Sequence, residues 1–325
     1  MTTQPTLQKA DLGDLVRDSQ FKGINVLKAA TASQIEIDPN YYFRADLVAD
    51  LAFVHQYNAS RAAGASVLNL WVGGPKGSGK TTGVEQFLAR LGISPIVMTC
   101  SEASNVKAWI SSTEAMDGTT QEVIGPIGVA MREGVPVILN EAHKVPPKRF
   151  SELNEVLDKG RHVSDKGVEL VAQPGFYVVV TANTMGSADR TGLYPGSLQQ
   201  DDSLLDRFNF SELGYLSEVD ERKLCKRAHP SVADEIIERF VRVAAQTRAC
   251  HQKGEQGITT PISTRVLLRW IGATPAYQAL APKASAPLAA LRACYARRLE
   301  GPAEEAVMKL AEAIMIDGAS GRSKK

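Results

Sequence analysis

Short, continuous apolar runs alternate, over the first two thirds of the chain, with stretches whose apolar positions recur every three or four residues. Val67-Leu68-Asn69-Leu70-Trp71-Val72, Ile96-Val97-Met98, Pro136-Val137-Ile138-Leu139 and Tyr177-Val178-Val179-Val180-Thr181 are of the first kind. Their unbroken apolar character predicts strands buried on both faces, and the last run is the richest in β-branched residues. Helical spacing predicts helices over Ala45–Tyr57, Thr81–Leu91, Ile124–Met131 and Pro147–Leu157, the last opened by a proline at a first-turn position. Arg161–Ala172 alternates around Asp165-Lys166-Gly167 and predicts a hairpin. Strands alternating with helices imply a largely parallel sheet covered on both faces. Residues up to about Ala32 are mixed and polar, with one weakly amphipathic stretch at Leu12–Val16, and read as an arm. Beyond about Phe210 only helical periodicity remains, at Glu218–Ala228, Val232–Arg248, Ser263–Ile271 and Pro302–Met315, which predicts an all-helical second domain. The expected partition is an extension over 1–34, an α/β domain over 35–212, a helical domain over 213–317 and a disordered tail over 318–325.

Length and charge narrow this only a little. A chain of 325 residues exceeds what one hydrophobic core usually serves, in keeping with two domains. Lys and Arg total 37 against 36 Asp and Glu, a net charge of +1, so no global field favours nucleic acid or an acidic membrane. A helix-turn-helix or basic stripe is not recognisable either, which disfavours a DNA-acting protein. Cys100, Cys225, Cys250 and Cys294 are far apart, and the five histidines lack metal-ligand spacing, so reduced structural thiols are expected. The N-terminus lacks a signal peptide's basic and apolar regions, no run reaches transmembrane length, and a cytoplasmic protein without a membrane partner is expected.

The chemistry is concentrated in Gly74-Pro75-Lys76-Gly77-Ser78-Gly79-Lys80-Thr81, a complete G-x-x-x-x-G-K-[ST] phosphate-binding loop between a predicted strand and a predicted helix. Glycines permit the tight, partly left-handed backbone, and N–H groups of Lys76 to Thr81 can converge on a phosphate at the helix N-terminus. Lys80 is expected to reach the β- and γ-phosphates of ATP and the Thr81 hydroxyl to ligate Mg²⁺, with the nucleotide-binding set running from Gly74 to Thr82.

Such a loop needs an acidic group at the end of a neighbouring strand, and Asn140-Glu141 stands there. The preferred register puts Asn140 at the metal's water shell and Glu141 at the attacking water. A register shifted by one residue reverses the side facing the site and leaves Ala142 where the base belongs. Thr181-Ala182-Asn183-Thr184 ends the strongest strand, where Asn183 could orient water, although asparagine is also common at turns. Arg207, after Leu204-Leu205-Asp206, is placed either to reach a neighbouring subunit's γ-phosphate or to pair with Asp206. Arg265 begins a predicted helix and, taken alone, reads as a surface charge.

Together these elements resemble the MoxR-like class of AAA+ ATPases, and within it the CobS-type ATPase subunits of aerobic cobaltochelatase. The similarity spans about Ile37 to Tyr277. It rests on Ile37-Asp38-Pro39, the phosphate loop, Thr181-Ala182-Asn183-Thr184-Met185-Gly186, Thr191-Gly192-Leu193-Tyr194, Asp206-Arg207, Val241-Arg242-Val243-Ala244, Thr247-Arg248 and Ser263-Thr264-Arg265. The resemblance implies a P-loop AAA+ domain with sheet order 5-1-4-3-2 and a small all-helical lid. It implies Asn183 as sensor 1, Arg207 as the arginine finger and Arg265 as sensor 2. It also implies a hexameric ring that hydrolyses ATP with Mg²⁺, a partner carrying a von Willebrand A-type domain, and possible service as a metal-chelatase motor. Two departures stand out. The family's Asp-Glu is Asn140-Glu141, which opens the alternative of a nucleotide-gated scaffold with little hydrolysis. The pore-loop motif is also poorly matched in Trp109–Gly118.

Overall fold

The computed structural model describes residues 7–116, 119–188, 196–255, 257–280 and 285–317. Thr191-Gly192-Leu193-Tyr194 and the tail over 318–325 lie outside the described residues. The chain forms two compact units. The first comprises the residues up to Asp38, Phe43–Gly74 and Lys80–Leu213; the second comprises Pro39–Tyr42, Pro75–Gly79 and Gly214 onward.

A five-stranded, wholly parallel sheet organises the first unit. Its strands are β1 (Asn69–Gly73), β2 (Ile96–Thr99), β3 (Val137–Asn140), β4 (Val178–Ala182) and β5 (Phe208–Glu212), in the spatial order β5-β1-β4-β3-β2. This is the 5-1-4-3-2 order. Val137, Ile138, Leu139, Val178, Val179 and Val180 are fully buried, as unbroken apolar runs in a two-face-covered sheet require. Trp71 at the centre of β1 packs edge-on against Phe208 at 5.5 Å and donates its indole N–H to the Thr184 carbonyl at 2.9 Å. That bond fixes the loop that follows β4. Buried Asn69 ties three strands together: its Nδ2 donates to the carbonyls of Leu157 and Arg207, and its Oδ1 accepts from the Val178 N–H.

Helices α1 (Ala45–Ser60), α2 (Lys80–Arg90) and α3 (Pro126–Glu133) lie close to their expected spans. The expected helix over Pro147–Leu157 is broken into Pro147–Phe150, a 3-10 turn Ser151–Leu153 and Asn154–Lys159. The hairpin around Asp165-Lys166-Gly167 forms from Arg161–Val163 and Glu169–Val171. A further hairpin, Ser111–Met116 with Thr119–Ile124, occupies what reads in sequence as a polar stretch. The residues expected as a polar arm also fold. Leu7–Asp11 and Asn25–Ala29 pair antiparallel, Leu12, Val16, Phe21, Val26 and Ala29 are buried, and the Ala29 N–H donates to Leu91 O at 2.8 Å.

The second unit is helical: α4 (Glu218–Ala228), α5 (Asp234–Lys253), α6 (Thr264–Leu280), α7 (Ala286–Cys294) and α8 (Gly301–Glu312), followed by a π-turn Ala313–Asp317. Its core gathers Phe240, Val241, Ala244, Leu267, Trp270 and Leu291, with the Phe240 and Trp270 rings T-stacked at 4.4 Å. Sequence reading ends α6 at Ile271, yet the helix continues through Pro275. The proline's missing N–H costs one backbone bond, while the Thr274 hydroxyl bonds the Trp270 carbonyl at 2.9 Å nearby. At the heart of this unit Arg248 makes a bidentate pair with fully buried Glu221, at 2.7 and 2.8 Å. Arg248 also donates to Ile262 O and stacks 4.2 Å from the Tyr215 ring centre, and Thr264 Oγ1 donates to Glu221. Among the described residues no helix is long and apolar enough to cross a membrane.

Candidate nucleotide site

The loop after β1 has the backbone its glycines predict. Gly74, Gly77 and Gly79 have φ of 144°, 77° and 94°. A Cβ on Gly74 would lie 2.1 Å from Leu213 O, and one on Gly77 would lie 2.7 Å from Ser263 Oγ. Space as well as conformation therefore requires glycine at both positions. Lys80, 9% exposed, folds its ammonium back to the Gly74 carbonyl at 2.8 Å. Pro75 begins the loop tip, Lys76 accepts from Tyr215 Oη through its carbonyl at 3.3 Å, and Thr82 is exposed on α2. Ser78 Oγ is buried and has no hydrogen-bond partner among the described residues. A buried, unsatisfied hydroxyl in a glycine-rich cradle is what an anion's oxygen would satisfy, so the loop fits a phosphate.

Three oxygens converge beside the start of α2. Asn140 Oδ1 accepts from Thr81 Oγ1 at 2.8 Å and from Thr181 Oγ1 at 3.0 Å, and the two hydroxyls are 3.3 Å apart. The parallel register that puts Thr181 opposite Asn140 builds this triangle. The trio is hard and oxygen-only, suited to Mg²⁺ or to the water around it, but all three groups are neutral. Negative charge for the ion would have to come from phosphate and from Glu141.

Glu141 follows β3 in a left-handed conformation, φ 59° and ψ 31°, one of two such non-glycine residues among those described. That backbone costs roughly 1–2 kcal/mol and turns the side chain away from the strand direction. Its carboxylate lies 3.1 Å from Lys144 Nζ and 3.6 Å from His143 Nε2. Partial burial works against its ionisation. The Lys144 hydrogen bond, with the charges of His143, Lys144 and Lys80, nevertheless holds its pKa below the ordinary carboxylate value. Asn183 sits opposite: its Oδ1 is 3.5 Å from Lys80 Nζ, at the limit of a hydrogen bond, and its N–H and Nδ2 are each 3.3 Å from a His143 ring nitrogen. Lys80, Thr81, Asn140, Glu141 and Asn183 are thus brought into one cluster.

The two arginines lie elsewhere. Arg207 precedes β5, and among the described residues its guanidinium is not joined to Asp206. Its guanidinium instead donates to the Ser203 carbonyl, and its Nε is buried without a hydrogen-bond partner. The pairing with Asp206 that sequence neighbourhood suggests is thereby corrected, because the guanidinium is taken by the Ser203 carbonyl one turn back. Arg265 is exposed at the start of α6, within the second unit, where its Cβ would be 3.5 Å from a Cβ on Gly77. It therefore flanks the loop tip rather than standing as an isolated surface charge. Sequence reasoning missed Thr181, His143 and Lys144. Thr181 was signalled by its place one pleat before Ala182 on the strongest strand, whereas nothing in the local pattern marked His143.

Residues 69–208 match the family model described as AAA domain (dynein-related subfamily). The chain is 28% identical over 253 residues to the aerobic cobaltochelatase subunit CobS of a Sinorhizobium species, covering 72% of this chain and 71% of that one. It is 26% identical over 194 residues to an uncharacterized protein of Staphylococcus haemolyticus, covering 58% and 71% respectively. Among solved structures, the Thermotoga maritima RuvB Holliday junction branch migration motor is similar at 14% identity with a TM-score of 0.47, over 77% of this chain and 69% of that one.

Proposed function

Starting from an AAA domain of the dynein-related subfamily over residues 69–208, we propose that this protein is an ATP-hydrolysing ring subunit that remodels or activates a protein partner. The observation that supports it most is the meeting of Lys80, Thr81, Asn140, Glu141 and Asn183 beside a loop with the conformation of a phosphate cradle. In this reading residues 35–212 are the ATPase domain and 213–317 its helical lid. The substrate's β- and γ-phosphates lie against the loop N–H groups, the Ser78 hydroxyl and Lys80. Thr81, Asn140 and Thr181 would hold Mg²⁺ or its waters, and a bound ion would supply positive charge against that developing on the phosphates. Glu141, ionised at neutral pH, accepts the proton of the attacking water while Asn183 orients it. Arg207 acts on the nucleotide of a neighbouring subunit, and Arg265 on its own.

The ring is proposed as a cytoplasmic hexamer working with a von Willebrand A-type partner. Similarity to a protein named as a cobaltochelatase subunit supports a chelatase-motor role as one form of that activity. A second reading, a nucleotide-gated scaffold with slow turnover, is favoured by the neutral Asn140. Replacing Lys80 by Ala removes the ammonium bonded to Gly74 O and tests the site directly. ATP binding or turnover is expected to be lost at unchanged circular dichroism, and a folded Lys80→Ala protein with wild-type affinity and turnover would overturn the assignment. Measurable turnover by the concentrated wild-type assembly decides against the scaffold.

A further inference from the structure

We propose that His143 is a positioning residue that couples Glu141 to Asn183, holding the carboxylate of one and, through its main-chain N–H, the strand end that carries the other across the place of the reacting water. This rests on the ATPase reading above. The ring is 2% exposed, its Nδ1 accepts from the Asn183 main-chain N–H and its Nε2 lies 3.6 Å from the Glu141 carboxylate, a two-sided polar setting that a core histidine filling space does not require. The Asn183 main-chain N–H, 3.3 Å from Nδ1, can only donate, so Nδ1 carries the lone pair and the ring proton belongs to Nε2. That nitrogen lies 3.3 Å from Asn183 Nδ2, which like Nε2–H can only donate, so the ring proton is left to face the Glu141 carboxylate at 3.6 Å. Burial, foremost, with the Lys144 and Lys80 charges, outweighs Glu141 and keeps the imidazole pKa below its ordinary value, consistent with a neutral ring. Its main chain is held in place by the Leu198 N–H, which donates to His143 O at 2.9 Å.

Glu141 therefore has two anchors. Lys144 takes it at 3.1 Å, but this pair is exposed, with side-chain exposures of 44% and 39%, and water screens it. His143 stands just beyond hydrogen-bond range, and closing about 0.5 Å would make a bond in a less polar setting. A carboxylate released from Lys144 and taken by Nε2–H becomes linked through the ring to Asn183, whose Oδ1 faces Lys80. Base, water-orienting amide and phosphate-binding lysine then share one line of contacts.

Steady-state ATPase kinetics and ring-nitrogen spectra test this together. His143→Phe keeps the shape and removes both polar nitrogens; kcat is expected to fall about 10²-fold with little change in KM, the signature of misplaced transition-state groups. His143→Asn, which restores one donor and one acceptor, is expected to recover part of that loss. In protein carrying ¹⁵N-labelled histidine, Glu141→Gln and Asn183→Ala are each expected to move the His143 ring signals, assigned by their disappearance in His143→Phe. Wild-type kcat in His143→Phe, equal losses in the Phe and Asn variants, or unmoved ring signals would each overturn the proposal. Ring signals that move as expected in a wild-type protein that hydrolyses no ATP would count against the ATPase reading and leave the coupling standing.

Discussion

Asn140 is an amide where two threonine hydroxyls converge, and its neutrality decides how strongly the site draws a cation. Asn140→Asp would let Thr81 and Thr181 donate to a carboxylate, and would put one negative charge beside the metal's water shell. A charge-assisted bond contributes roughly 1.5–3 kcal/mol, about ten- to a hundredfold in affinity. Titrating Mg²⁺ against ATPase rate is expected to show half-saturation at lower Mg²⁺ in the variant, or a higher plateau. A lower melting temperature with no gain in metal response would mean that the amide serves the strand end alone. At this scale the sequence told most where backbone chemistry is demanding. Gly74 and Gly77 could be read because only glycine tolerates their conformation and crowding, whereas Asn183, one residue past the strongest strand run, was a weak signal that the family resemblance raised. His143 could not, since its importance depends on a left-handed turn at Glu141 that swings the next residues toward β4, and nothing in Asn-Glu-Ala-His announces that turn.

Among the elements, a buried ion pair joins two helices of the second unit. Glu221 on α4 and Arg248 on α5 are bound bidentately, and through Ile262 O and Thr264 Oγ1 the pair also holds the segment that carries Ser263 and Arg265. Removing one partner strands a buried charge, so Glu221→Ala is expected to destabilise the protein by about 3–5 kcal/mol in denaturant unfolding. Replacing both by apolar residues of similar volume, Glu221→Met with Arg248→Leu, is expected to recover most of that stability, because the desolvation penalty leaves with the charges. A single Glu221→Ala variant as stable as wild type would show that water reaches this pair. Strands β1 to β4 and the first two helices of the second unit were legible, because buried parallel strands and long amphipathic helices write their period plainly, whereas the sheet order came from the family resemblance and β5 was not read. The hairpin over Ser111–Ile124 was not, since its strands are largely exposed and polar and lack the apolar alternation that reveals a half-buried pair. Helix α7 escaped for another reason: Ala-rich and short, it presents few large apolar positions to count.

For the whole molecule, the finger role proposed for Arg207 requires a second chain. Its backbone is pinned by Asn69, its guanidinium is bonded to Ser203 O, and among the described residues its side chain bonds no member of the Lys80 cluster. An arginine acting on a neighbour's γ-phosphate contributes mainly in the transition state, about 10³–10⁵ in rate, so the isolated subunit is expected to be nearly inactive and specific activity to rise with concentration. Arg207→Ala should then lower kcat far more than ATP affinity, and ATP should still promote assembly, followed by light scattering. Mixing provides the stricter test. In a ring built from Arg207→Ala and Glu141→Gln subunits, some interfaces join an intact Glu141 site to an intact Arg207 from the neighbour, though neither variant alone contains such an interface. Activity is therefore expected to appear on mixing two inactive proteins, rising and then falling with their ratio. If assembled mixtures stay inactive at every ratio, Arg207 serves its own chain through the Ser203 carbonyl, and the neighbour's nucleotide must be completed by another group.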